Sequence, residues 1–257
     1  MGPFDLVYLL VVGLLGGIIT SLVGGASVVT CPALVAFGLA PVDAAIVSLV
    51  ALTPANLGSA WWDRSQLPPF SPVMWWLFAV CIFGSVLGAW LLLVTPAMVF
   101  SALVPLLLGA ATLLFAYAGQ IASSIERNAT SAAAAERTRW IATIAAMVPV
   151  SIYGGYFGAG AGVMLLAILM VIARGDYRAA NAMKNFVAGL NCMMATAVYV
   201  VQDRVEWRPV ALITAGAMVG AVIGVRLVRI APREMMRRVV IGLGAALSAV
   251  FAWKYWL

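Results

Sequence analysis

The chain is 257 residues long, 65% of them hydrophobic and 9% charged, with a mean hydropathy of +1.08. A soluble domain is about half apolar and about a quarter charged, so this balance excludes an ordinary globular protein; it also excludes a disordered chain, which needs polar sequence to stay solvated. The net charge of +6 would suggest nucleic acid in a soluble protein, but here the charges sit between long neutral stretches (6–42, 44–62, 65–125 and 140–173) and record membrane topology instead.

A bilayer core is about 30 Å thick and a helical span takes about 20 apolar residues. The start, Met1-Gly2-Pro3-Phe4-Asp5, lacks the basic stretch of a cleaved signal peptide, so a first retained helix is expected over 5–23. Further helical segments are predicted over 27–38, 42–61, 72–93 and 98–119. A polar interval at 120–139 reads as a cytoplasmic connector, a loop or a short surface helix. Five more segments are expected over 140–158, 162–173, 178–200, 208–229 and 235–256. The apolar runs are continuous rather than alternating, which argues against barrel strands. The second segment of each set rises only about 18 Å, too little to cross unaided, so the first two segments of each set suggest a broken or re-entrant pair.

The two sets repeat. A shift of 136 lays 79–117 over 215–253 with eleven identities, among them Gly84/Gly220, Gly88/Gly224 and Pro96/Pro232. A shift of 135 pairs Gly25 with Gly160, Ala44 and Ala45 with Ala179 and Ala180, and Asn56 with Asn191. Membrane carriers are often built from two such copies. If every segment reverses direction, ten arginines fall on one side and two arginines and a lysine on the other, which places the first side in the cytoplasm and both termini in the periplasm. Five segments per copy then make the repeats inverted; if the short segments do not reverse direction, the count of spans falls to eight and the repeats are parallel. The expected architecture is an all-α polytopic membrane protein, with repeats at 1–119 and 140–257 and helices broken at glycine-rich turns.

Those turns are Gly24-Gly25-Ala26-Ser27 and Gly158-Ala159-Gly160-Ala161-Gly162, at the same place in each copy. Bare backbone at a helix start exposes amides, and the helix dipole adds about half a positive charge, so a small anion can be held there without a basic side chain. Close helix packing by small residues is the competing explanation. Asn56 and Asn191 follow helix-weakening Pro54 and Gly189, and either contact a ligand or brace the neighbouring break. Lys184 has no charged counterpart, since Leu49 takes its place in the first copy; it either draws anions toward an inner vestibule or snorkels to the cytoplasmic surface. Asn185, Tyr153 and Ser27 are secondary candidates beside Thr30, Ser48 and Thr53, where packing or helix back-bonding competes. The tryptophans near segment ends read as an interfacial belt, and Cys31, Cys81 and Cys192 as small buried hydrophobes.

The glycine turn followed by Pro32-Ala33-Leu34, the second turn at Tyr153-Gly154-Gly155-Tyr156-Phe157-Gly158-Ala159-Gly160-Ala161-Gly162, and Ala179-Ala180-Asn181-Ala182-Met183-Lys184 leading to Asn191 make the chain resemble the TauE/SafE sulfite exporter family. That resemblance implies a bacterial inner-membrane transporter of a small sulfur-containing anion such as sulfite, sulfoacetate or a related sulfonate. There is no histidine, and all nine acidic residues lie in loops or at segment ends, so a side-chain proton relay is not expected. No phosphate-binding loop, zinc motif or nucleophile with its base is present; neither an enzyme nor a cofactor is expected. A sodium-coupled uptake carrier, an anion channel and a non-transporting membrane subunit are the alternatives to an exporter.

Overall fold

The structure, a computed structural model, describes residues 2–22, 24–67, 72–103, 132–173 and 176–228, together with isolated positions at 105, 106, 109, 113 and 117 and at 238, 241, 242, 245, 246, 249, 252 and 253. Among the described residues there are eight α-helices of defined extent, further helical residues at 97–103, one short 3-10 turn at Arg64–Gln66 and no strand. The helices are α1 Pro3–Leu22, α2 Ser27–Phe37, α3 Pro41–Trp62, α4 Pro72–Val94, α5 Ala132–Tyr156, α6 Ala161–Ile172, α7 Tyr177–Val201 and α8 Trp207–Val228. Most of the segments expected at 98–119 and 235–256 lies outside the described residues.

Helix starts follow local chemistry. Pro41 stands in the first turn of α3, where its missing N–H is no loss. Asp176 caps α7, its carboxylate accepting from the amides of Arg178 at 2.9 Å and Ala179 at 3.3 Å. α5 begins at Ala132, eight residues before the expected start at 140, because the run Ala132–Ala135 favours helix over loop.

Five helices, α1, α3, α4, α7 and α8, are long and apolar enough to cross a membrane. α2 and α6, of 11 and 12 residues, are not. Large apolar side chains stand exposed along α1, α4 and α8, including Val11, Trp75, Phe83, Trp90 and Val219, as expected where lipid replaces water.

At the centre α3 packs against α7, where the Thr53 and Thr196 hydroxyls share a hydrogen bond of 3.2 Å. α1 lies along α8, and α4 along α5. Glycines make these two pairings tight: a Cβ on Gly17 would collide with the carbonyl of Ala217, and one on Gly88 with that of Ile152. Small residues let membrane helices approach this closely. α8 also covers α3, α4 covers α7, and the short helices α2 and α6 rest on α3 and α7. The core fills the space around α3 and α7, with Ile46, Leu49, Phe157 and Tyr199 fully buried.

Candidate functional site

α1 ends where the amide of Gly24 reaches back to Ile19 O at 3.0 Å, and α5 ends where that of Gly158 reaches Tyr153 O at 3.2 Å. Both bonds close wide turns that need left-handed backbone: φ is +83° at Gly24, +82° at Gly25, +72° at Gly158 and +76° at Gly160. A side chain in that region is strained, so glycine is the residue that lets both helices stop and restart within a few residues.

The two turns abut. A Cβ built on Gly24 would lie 2.7 Å from Gly162 Cα, and one on Gly25 2.7 Å from Gly160 Cα, so backbone faces backbone with no room for side chains. Among the described residues, the amides of Gly25, Ala26, Ser27, Ala159, Gly160 and Gly162 donate to no backbone oxygen. Buried amides are nearly always paired, which makes this cluster unusual.

Beside the turns lies a cavity of ≈ 30 Å³, room for about two waters. Gly24, Gly25, Ala26 and Ser27 line it from the first turn, and Gly158, Ala161 and Gly162 from the second. Asn56 and Asn191, on α3 and α7, complete the polar part of its wall, and Thr20 adds a hydroxyl. Asn56 donates from Nδ2 to Leu52 O in its own helix at 3.1 Å and accepts from Thr20 Oγ1 at 3.5 Å. Asn191 donates instead across to Ser151 O of α5 at 3.0 Å. Among the described residues, no charged side chain lines the cavity.

The remaining candidates stand back from the wall. Ala159 and Gly160 belong to the second turn, Gly160 lying against Gly25, and the Tyr153 hydroxyl pins the turn by donating to Ala159 O at 2.6 Å. Asn185 is fully buried, and among the described residues neither polar atom of its side chain has a hydrogen-bond partner. Lys184 is also fully buried, and its ammonium donates to Thr20 O at 2.9 Å. It therefore reaches inward to the end of α1 and does not snorkel to a surface. Of the secondary hydroxyls, Thr30 and Ser48 bond each other, and Thr53 bonds Leu49 O at 3.0 Å.

Sequence reasoning overlooked Thr20, Leu49, Gly154 and Cys192, all on the cavity wall. Two carried a usable signal: Leu49 is the repeat counterpart of Lys184, and Cys192 adjoins Asn191.

The profile of the family described as sulfite exporter TauE/SafE matches residues 9–251 of the chain. A protein of Haemophilus influenzae named "Probable membrane transporter protein" is 24% identical over 249 residues, covering 95% of this chain and 93% of its own. One of a Sinorhizobium species, named "Probable membrane transporter protein ORF9", is 25% identical over 225 residues, covering 86% and 82%. No solved structure matches.

Proposed function

The chain belongs to the sulfite exporter TauE/SafE family of membrane transporters, and on that premise we propose that it exports a small sulfur-containing anion, sulfite or an organosulfonate such as sulfoacetate, by alternating access. It is a transporter and not an enzyme. The observation that carries the reading is that both glycine turns and both asparagines of the repeat line one buried cavity.

The amides of Gly25, Ala26, Ser27 and Gly162, which donate to no backbone oxygen among the described residues, form the anion site with Asn56 and Asn191 beside them. A neutral cage of this kind favours an anion by hydrogen bonds and helix dipoles, yet holds it weakly enough to release it. A full counter-charge on the wall would bind more tightly and release more slowly. In alternating access the two turns part to admit and release the anion, and the helices that carry them move with them.

The helix pairings support a two-fold relation between the copies, which we read as an inverted repeat. α1 on α8 and α4 on α5 are the same pairing with the copies exchanged, as are α3 on α8 and α7 on α4, while α3 on α7 pairs equivalent helices. Gly25 and Gly160, equivalent under the shift of 135, face each other, as residues near a two-fold axis must. We place the protein in a bacterial inner membrane with α2 and α6 re-entrant, 120–139 cytoplasmic and both termini periplasmic. Export then runs downhill: an outgoing anion releases about 2.3 kcal/mol per charge per 100 mV when the cytoplasm is negative.

Purified protein in proteoliposomes is expected to carry labelled sulfite or sulfoacetate with saturation and counterflow. Absence of flux and binding for every sulfur anion tested overturns the assignment, and flux that never saturates assigns a channel instead. Gly160→Val is expected to cut flux by more than about 100-fold while the protein stays monodisperse, because a β-branched side chain cannot adopt the left-handed turn. Normal flux in that variant removes the turn from the site.

A further inference from the structure

The C-terminal end of α1 is held in an unusual way. Three donors on successive positions of one α7 face meet its last three carbonyls: Lys184 Nζ to Thr20 O at 2.9 Å, Asn181 Nδ2 to Ser21 O at 3.3 Å, and Tyr177 Oη to Leu22 O at 2.8 Å. Positions 177, 181 and 184 are one turn apart, so a single helix face reads the end of another. The carbonyl end of a helix carries about half a negative charge, and the ends of interrupted membrane helices are where carriers hold coupling sodium ions.

Packing alone does not call for a lysine here. At the equivalent place in the first copy stands Leu49, which packs against the second turn at Gly158 with no charge at all. Lys184 is fully buried and makes no ion pair among the described residues. A buried ammonium satisfied by backbone oxygen is costly, and such residues in membrane bundles serve function. Thr20, whose carbonyl it holds, is itself on the cavity wall.

We propose that Lys184 is a tethered cation: on the end carbonyls of α1 its ammonium occupies the place a coupling sodium ion would take, so that anion transport proceeds without a dissociable cation. The inference rests on the transport reading above and makes Lys184 a positioning residue, acting on substrate through the break it neutralises. Removing the ammonium while leaving space opens the carbonyl cage to a small monovalent cation. Removing it while keeping the bulk does not.

Lys184→Ala and Lys184→Met separate these cases in the full-length protein. In detergent, replacing N-methylglucamine chloride by sodium chloride at about 100 mM leaves the melting temperature of the wild type and of Lys184→Met unmoved, and raises that of Lys184→Ala by about 3–6 °C. In proteoliposomes, wild-type flux is indifferent to sodium. Flux of Lys184→Ala falls roughly tenfold and recovers with sodium or methylammonium, and that of Lys184→Met does not recover. Sodium-dependent wild-type flux, or a Lys184→Ala protein whose melting ignores sodium and methylammonium alike, overturns the proposal. The melting measurement needs no knowledge of the transported anion, so failure of the sulfonate assignment leaves it standing.

Discussion

The two glycine turns share a backbone and differ in what holds them. The first is anchored from another helix by a cation, an amide and a phenol, all on α7. The second is held by Tyr153, from the last turns of the helix that precedes it, and by the apolar contact with Leu49. One scaffold thus carries two electrostatic environments, a helix end neutralised by an ammonium at the first break and an uncharged contact at the second. A duplicated fold positions two equivalent helix ends, and a single residue difference, lysine against leucine, makes them unequal.

The sharpest way to break that difference is to abolish it. Leu49→Lys would put a second ammonium at the second turn, where Leu49 is buried and Tyr153 already takes the Ala159 carbonyl. The expected cost is about 3–5 kcal/mol, that of a buried charge without a partner, seen as loss of monodisperse protein or a large fall in unfolding midpoint. A well-folded Leu49→Lys protein would mean that the second turn accepts a cation as readily as the first.

The asparagines offer a finer cut. Asn191 ties α7 to α5 at 3.0 Å, whereas the short bond of Asn56, at 3.1 Å, stays within its own helix and its link to Thr20 of α1 is longer, at 3.5 Å. Asn191→Ala is therefore expected to lower stability by about 1–3 kcal/mol, and Asn56→Ala by less than about 1 kcal/mol, in equilibrium unfolding. Equal losses would show that the bond to Ser151 contributes nothing. Both variants are expected to lose flux, because both remove a donor from the cavity wall.

The smallest effect should come from Asn185. With both polar side-chain atoms buried and unpartnered, Asn185→Val is expected to leave stability unchanged or raise it by up to about 1 kcal/mol, opposite in sign to Asn191→Ala. A clear loss of stability there would show that Asn185 has partners in solution.

Much of the architecture was legible in the chain because the signals are rare in an apolar background. Paired glycines at Gly24-Gly25 and Gly158-Gly160 mark breaks whatever surrounds them, since few other residues hold that backbone, and an amide such as Asn56 stands out among leucines and valines. Segment boundaries followed from hydropathy, apart from the start of α5, where alanines extend a helix that a polar count cuts short. The partner of Lys184 was hidden: its acceptor is a backbone carbonyl 164 residues earlier, and a carbonyl has no sequence signature. The cross-pairing of α1 with α8 was hidden for the same reason, because a face of glycines shows that something comes close and not what.

That cross-pairing sets a timetable for biogenesis. The glycine face of α1 has no mate until Trp207–Val228 has been synthesised, roughly 10–40 s later at about 5–20 residues per second. During that wait the first span is sheltered by lipid or by the insertion machinery, with Gly13 and Gly17 presenting nothing polar enough to expel it. The nascent chain therefore cannot consolidate from its beginning outward, and ribosome pausing within α8 should lengthen the interval in which α1 is open to quality-control proteases.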